Sequence, residues 1–518
     1  MTSRPSASIP GHKSGESASE MSIKEDFVLT EDQSKALRQI RNFVADDSAK
    51  VLILSGYAGT GKTSLVRMVV DRLVEEESLP FVLLASTGRA AKVLSDKVGA
   101  SRRKEDQPTD DKPFVRTRFA TTIHHFIYSF SGFDKDIDKM LEEIERDGGE
   151  VDNTGDLLLQ FGLRAGEDMH CPLLYIIDEA SMVSDVPPRD PTQATFGSGR
   201  LLQDLLTCNP LGKFIFVGDK GQLPPIGQVD SPALSTKYFR ETFGIEAESV
   251  ELTEIVRQAK GNDIIVAAEK VRRLYESPPA VKWGTLPLRH HKDIELVGNQ
   301  IELVDRYIAE IRDRDYARAT MICRANKRCS QVSGLVRPAL GFIDPRLMVD
   351  ELLLVTQNNL PSGLRNGDLV RVTGIGRREQ RACLTFLTIE VSELTSGQVF
   401  RLFLIEDILY SGFSNLGKQA QKDLFVDFHK RMRKRGISQG SDEYKEQMFT
   451  DPYLNALRAV YGYAITCHKS QGGEWPHVYV DMPRNITLEA TPSSYQWVYT
   501  AITRAGVRLF LTDDFFIQ

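Results

Sequence analysis

Six cysteines among 518 residues, Cys171, Cys208, Cys323, Cys329, Cys383 and Cys467, nowhere fall at C-x-x-C spacing. That scatter argues against a zinc site or a disulfide framework and fits a reducing compartment. Long hydrophobic runs are missing as well. None approaches the ~20 residues that span a bilayer, and the first residues lack the apolar core of a secretory signal. The expected location is intracellular and cytoplasmic (nucleoid-associated in a bacterium), with no membrane partner. Positive charge is not in surplus: 65 Lys and Arg face 71 Asp and Glu, a net of −6. Any nucleic-acid contact must therefore come from a local basic groove rather than from bulk charge. Residues 1–26 have almost no apolar content and are rich in Ser, Gly and Pro, so they read as a disordered tail.

What remains is the composition of a globular protein, 41% hydrophobic and 26% charged, long enough for roughly three to four domains. Short apolar runs at 51–55, 81–85, 173–178 and 213–219 alternate with helix-like segments, and a second set follows at 319–323, 459–466, 477–482 and 507–513. That rhythm predicts parallel sheets covered on both faces, in two tandem α/β units. Two stretches break it. Residues 126–170 begin with "FIYSFSGF" and continue through an acidic stretch. Residues 366–411 are β-rich runs punctuated by glycine, a small barrel inserted into the second unit.

The first apolar run leads into "GYAGTGKTSL" (56–65). Gly56, Gly61, Lys62 and Thr63 complete the pattern G-x-x-x-x-G-K-[ST], between a strand and a helix as the pattern requires. Its small residues let backbone N–H groups, with the helix N-terminus, close around phosphate oxygens. The expected nucleotide-binding set is Gln33, Gly56, Gly59, Thr60, Gly61, Lys62, Thr63 and Ser64. Lys62 would reach the β/γ-phosphates and Thr63 would sit on Mg²⁺. "YIIDEASMVS" (175–184) ends a strand in Asp178, suited to hold Mg²⁺, and Glu179, suited to deprotonate water. "FVGDKGQLPPIG" (216–227) places Asp219 and Gln222 beyond the next strand, at the ligand-facing edge of such a sheet. Thr30 and Gln33 also form a capping box at a helix start, which accounts for Gln33 nearly as well as an adenine contact does.

These motifs, in this order, resemble a superfamily 1 helicase. "ASTGRAAKVL" (85–94), "TTIHHF" (121–126), "LTEIVRQ" (252–258), "AITCHKSQGGEWPHVYVD" (464–481) and "YTAITRA" (499–505) narrow the resemblance to the superfamily 1B, RecD-like and phage Dda-like, enzymes. The resemblance implies two tandem RecA-like P-loop domains: 1A at 27–125 and 171–250, 2A at 251–362 and 456–518. It also implies a pin or wedge region at 126–170 and an SH3-like barrel with a helical extension at 363–455. ATP would bind between the two domains, with Arg257 and Arg504 as arginine fingers and Gln33 at the adenine edge. Single-stranded DNA would be gripped by Thr87, Arg89, Lys92, Thr122 and His124 on one domain. Thr466, His468, Lys469 and Gln471 would grip it on the other. Phe126, Tyr128, Phe130 and Phe133 are either stacking or wedge residues or, as alternating aromatics more commonly are, core. The implied activity is ATP-driven 5′→3′ movement along single-stranded DNA and opening of single/double-strand junctions. An RNA-preferring helicase is the alternative, as is an ATP-gated subunit of a repair, recombination or defence complex.

Overall fold

The apolar runs at 51–55, 81–85, 173–178 and 213–219 become neighbours in one six-stranded, all-parallel sheet. Its order is Ala120–Thr122, Phe81–Ala85, Leu174–Asp178, Lys213–Gly218, Val51–Gly56, Glu248–Leu252. Val51–Leu54 and Phe81–Ala85 are buried on both faces, as continuous apolar strands require. A computed structural model describes residues 29–76, 79–100, 115–137, 139, 157–164, 171–188, 194–256, 261–482 and 490–518. The expected tail at 1–26, most of the acidic stretch after 137 and Arg257 lie outside them. The second lobe has a five-stranded parallel sheet, ordered Ile294–Val297, Ala505–Thr512, Trp475–Val480, Ala319–Cys323, Ala464–Thr466. No helix of the described residues is long and apolar enough to cross a membrane.

A third, antiparallel sheet holds Val399–Ile405, Leu384–Glu393, Leu369–Arg381, Leu352–Val355 and Ala459–Tyr461. Its two edges are drawn together at Leu457, whose N–H donates to Phe403 O at 2.6 Å and whose carbonyl accepts the Ile405 N–H at 3.1 Å. The strands at both junctions of the insert thus join it, although both fall in the ranges expected for the α/β unit. The run 459–466, read as one strand, is divided between two sheets at Gly462. A Cβ there would stand 3.0 Å from the Leu353 backbone and from Leu369 Cδ2, so any larger residue would require its neighbours to give way.

In the first lobe, Tyr128–Phe133 pairs antiparallel with Leu159–Leu163, which pairs in parallel with Ala194–Phe196. The four aromatics of "FIYSFSGF" pack inward. Phe126 meets Tyr175 edge to face at 6.0 Å, and Tyr128 donates its hydroxyl hydrogen bond to Asp204 at 2.7 Å. Phe130 and Phe133 contact Phe449 and Phe425, on the helices Asp442–Thr450 and Lys418–Lys434 of the insert. Of the two readings for these rings, packing is the one the structure takes.

Candidate nucleotide cleft and nucleic-acid interface

The loop between strand Val51–Gly56 and helix Lys62–Glu76 turns through Gly59 and Gly61, at φ +83° and +79°. Gly61 has a second constraint: a Cβ would lie 2.5 Å from Gln33 Nε2. Gln33 is buried, donates from Nε2 to Thr60 O at 3.1 Å and accepts the Thr30 N–H at 3.1 Å. In the capping role that the sequence also offered, Gln33 is a strut beneath the loop, with both ends of its amide engaged. Lys62 Nζ donates to Gly56 O at 2.6 Å and Tyr57 O at 3.0 Å, and Thr60 Oγ1 donates to Tyr57 O at 2.8 Å.

Gly59, Gly61, Lys62, Thr63 and Ser64 open onto a cavity of about 1010 Å³. Asp178 and Glu179 close its floor at the end of strand Leu174–Asp178, and Gln222 stands beside them. Asp178 Oδ1 accepts the Glu179 N–H at 2.9 Å, and Glu179 sits at φ +50°, a costly conformation for a residue with a Cβ. Burial pushes both carboxyls above their ordinary range. For Glu179 the Asp178 charge adds to this, while Arg504 and Lys62 act against it. The opposite wall belongs to the second lobe, including Thr503 and Arg504. Arg504 is buried and held by its own lobe: Nε donates to Thr500 O at 3.0 Å and Nη1 to Gly473 O at 3.3 Å.

The lobes are also joined behind this wall. From helix Pro492–Ile502, Tyr499 accepts the Ala58 N–H at 2.9 Å and donates to Asp219 Oδ2 at 2.8 Å. Thr500 Oγ1 accepts the Leu223 N–H at 2.9 Å, and Gln496 Nε2 donates to Gln222 O at 3.3 Å. Gln222 Oε1 is buried and finds no partner among the described residues. Sequence reading did not single out Tyr499, although "YTAITRA" contains it; only the fold brings it beside Ala58 and Asp219.

Residues 28–283 match the AAA domain family model, and residues 461–512 match that of the UvrD-like helicase C-terminal domain. The chain is 27% identical over 498 residues to the ATP-dependent RecD2 DNA helicase of Deinococcus radiodurans, covering 93% of this chain and 48% of that protein. Together these matches support a superfamily 1B helicase. It is 19% identical to the uncharacterized protein R530 of Acanthamoeba polyphaga mimivirus, over 92% of this chain and 98% of that one. It is 24% identical to the uncharacterized protein MJ1519 of Methanocaldococcus jannaschii, over 89% of this chain and 36% of that protein. The chain thus spans about half the length of RecD2 and about a third of MJ1519. Among solved structures, Pif1 helicase from Bacteroides in complex with ADP-AlF3 and ssDNA is similar at a TM-score of 0.45, with 16% identity over 95% of this chain and 93% of that one.

In this cleft the phosphate loop, Lys62, Thr63 and Asp178 share one cavity, a set of groups that fits a triphosphate with Mg²⁺. Of the residues expected to grip a strand, Arg89 and Lys92 line one cavity together with Glu393 and Trp475. Thr87 and Thr122 cap helices, accepting the Ala90 and His125 N–H groups at 3.2 Å each. Arg89 lies 4.2 Å over the Trp475 ring of the second lobe, and burial lowers its pKa to about 10. Lys92 pairs with Glu393 of the insert. His124 packs against Tyr128 and Phe196, and burial lowers its pKa to about 4. Gln471 is buried, donating to Leu223 O at 3.2 Å. Thr466 and Lys469 line a small cavity beside Phe413 of the insert, whereas His468 faces a separate one beside Pro224. The pKa values of Lys469 and His468 are lowered by burial, with Arg324 adding to the effect on His468. In this arrangement Arg89, Lys92, His124 and Gln471 are engaged by partners within the fold, most of them far along the chain, which motif spacing does not reveal.

Proposed function

We propose that the chain is an ATP-dependent DNA helicase that moves 5′→3′ along single-stranded DNA and opens junctions. In this reading its lobes are RecA-like domains, the five-stranded insert is an SH3-like barrel and the three-stranded region of the first lobe is the wedge. One observation carries the reading: Lys62 and Glu179 of the first lobe and Arg504 of the second line the same cavity. On binding a nucleotide, Lys62 would leave the Gly56 and Tyr57 carbonyls for phosphate oxygens. Thr63 and Asp178 would hold Mg²⁺, which supplies neutralisation of charge on the β/γ-phosphates. Glu179, its carboxylate made more basic by burial and by Asp178, would take the proton of the attacking water. Gln222 would sense the reacting phosphate. Arg504 would meet charge that develops in the transition state, which makes hydrolysis depend on cleft closure and converts it into lobe motion. Arg257 belongs to the same role by its motif.

The test uses the purified full chain, ATP, DNA or RNA single strands, and duplexes tailed at either end. The reading expects hydrolysis stimulated by single-stranded DNA and displacement of 5′-tailed duplexes. Stimulation without displacement would assign the chain to an ATP-gated module, and stimulation by RNA alone to an RNA helicase.

A further inference from the structure

The tyrosine that opens "YTAITRA" has no role in the scheme above, yet it is the group that ties the most parts of the cleft together. Tyr499 is 1% exposed. Its hydroxyl accepts the Ala58 N–H at 2.9 Å and donates to Asp219 Oδ2 at 2.8 Å, while Asp219 Oδ1 accepts the Gly221 N–H at 2.9 Å. Ala58 lies inside the G-x-x-x-x-G-K loop, whose N–H groups are the ones that turn toward phosphate oxygens. Asp219 starts the loop that carries Gln222, and Arg504 follows two residues after the end of the tyrosine's own helix. One buried oxygen therefore touches the phosphate loop of one lobe and the Asp219–Gln222 loop while riding on the element that presents Arg504.

We propose that Tyr499 is a positioning residue, whose hydroxyl sets the register between the phosphate loop, Gln222 and Arg504. The inference rests on reading the cleft as an ATP site. The Ala58 N–H serves either the phenol or a phosphate oxygen, so a change of partner at Ala58 moves the helix that ends beside Arg504. The bonds of Thr500 to Leu223 and of Gln496 to Gln222 carry the same displacement into the Asp219–Gln222 loop. Burial and the Asp219 charge push the phenol well above its ordinary pKa, so it remains a hydrogen-bond donor throughout the working pH range. A phenylalanine fills the same space but leaves the Ala58 N–H and Asp219 Oδ2 without this partner, while the rest of the loop still meets the nucleotide.

The experiment compares ATP turnover by the wild type and Tyr499→Phe, with and without a single strand. The expected result is a KM for ATP within about threefold of the wild type, with strand-stimulated kcat lower by about tenfold or more. A stimulated kcat within about twofold of the wild type overturns the inference, as does a loss that falls entirely on KM. Should Tyr499→Phe not fold, Asp219→Asn carries the same test, because it weakens the phenol's acceptor and retains the oxygen for Gly221. Where both fold, a double variant no slower than the slower single variant supports one shared relay, and losses that multiply overturn it. Absence of hydrolysis by the wild type would instead refute the reading of the cleft. Hydrolysis by the wild type with an unaffected Tyr499→Phe refutes the relay alone.

Discussion

Lys62 donates to two carbonyls of its own loop, so the charge that would hold phosphate is kept at the mouth of the cavity. Replacing it by alanine should abolish hydrolysis and leave the fold intact; wild-type turnover in Lys62→Ala would contradict the phosphate-loop role. Glu179→Gln should bind ATP and fail to turn it over, seen as ATP retained through gel filtration, and rapid turnover would remove Glu179 as the base. His124 gives a pH prediction. Its folded pKa of about 4 lies below the 6.5 of an ordinary imidazole, so between those values the unfolded chain takes up a proton that the folded chain refuses. The stability present above pH 6.5 is lost as pH falls toward 4, by about 1–3 kcal/mol. Urea unfolding at pH 7 and pH 5 should show a smaller difference in His124→Leu than in the wild type; an unchanged difference would place the effect elsewhere. At this scale the sequence disclosed chemistry better than partners. That Lys62, Thr63, Asp178 and Glu179 line one cavity was legible because each sits at or just beyond the carboxyl end of a strand in the same parallel sheet, where such sheets gather their ligand groups. The Trp475 face under Arg89 and the Glu393 beside Lys92 lie hundreds of residues away.

Among elements, the buried parallel strands were legible because runs such as "VLILS" and "FVLLA" have to be covered on both faces. The division of "AVYGYAIT" was not, because both halves are apolar and periodicity cannot say which sheet a strand joins. The deciding fact is the close approach of Leu352 and Leu353 to Gly462, which is tertiary. Gly462→Val should therefore cost about 1–3 kcal/mol through overpacking, measurable as a shift in the urea midpoint, and an unshifted midpoint would show that the junction has room. The basic run "HKRMRKRG" (429–436) ends a helix of the insert. Arg431, Arg433 and Lys434 occupy the last turn of helix Lys418–Lys434, and the Gly436 N–H donates to Arg433 O at 3.0 Å, as in a helix ending on glycine. Arg431 is further spent on Asp427 and Asp451.

For the whole molecule, the lobes meet through the phosphate loop, the Asp219–Leu223 loop and the Arg89–Trp475 stack, while the insert reaches back to the first lobe through Lys92–Glu393 and Arg365, which donates to Gly88 O at 2.9 Å. With a net charge of −6, binding of a strand has to rely on local cations. Affinity for single-stranded DNA should therefore fall with salt at a slope near −0.7 per phosphate neutralised, and a flat response would argue against a charged strand track. The two-lobe plan was legible from repeated apolar runs and ordered motifs; the way the insert locks against the first lobe was not, since no local pattern encodes a contact between lobes. The central claim is that the cleft is one composite site completed by the second lobe. Strand-stimulated turnover by Arg504→Ala tests it most directly. The account predicts nucleotide binding retained and kcat reduced by about 10³-fold or more; turnover within a few fold of the wild type would contradict it.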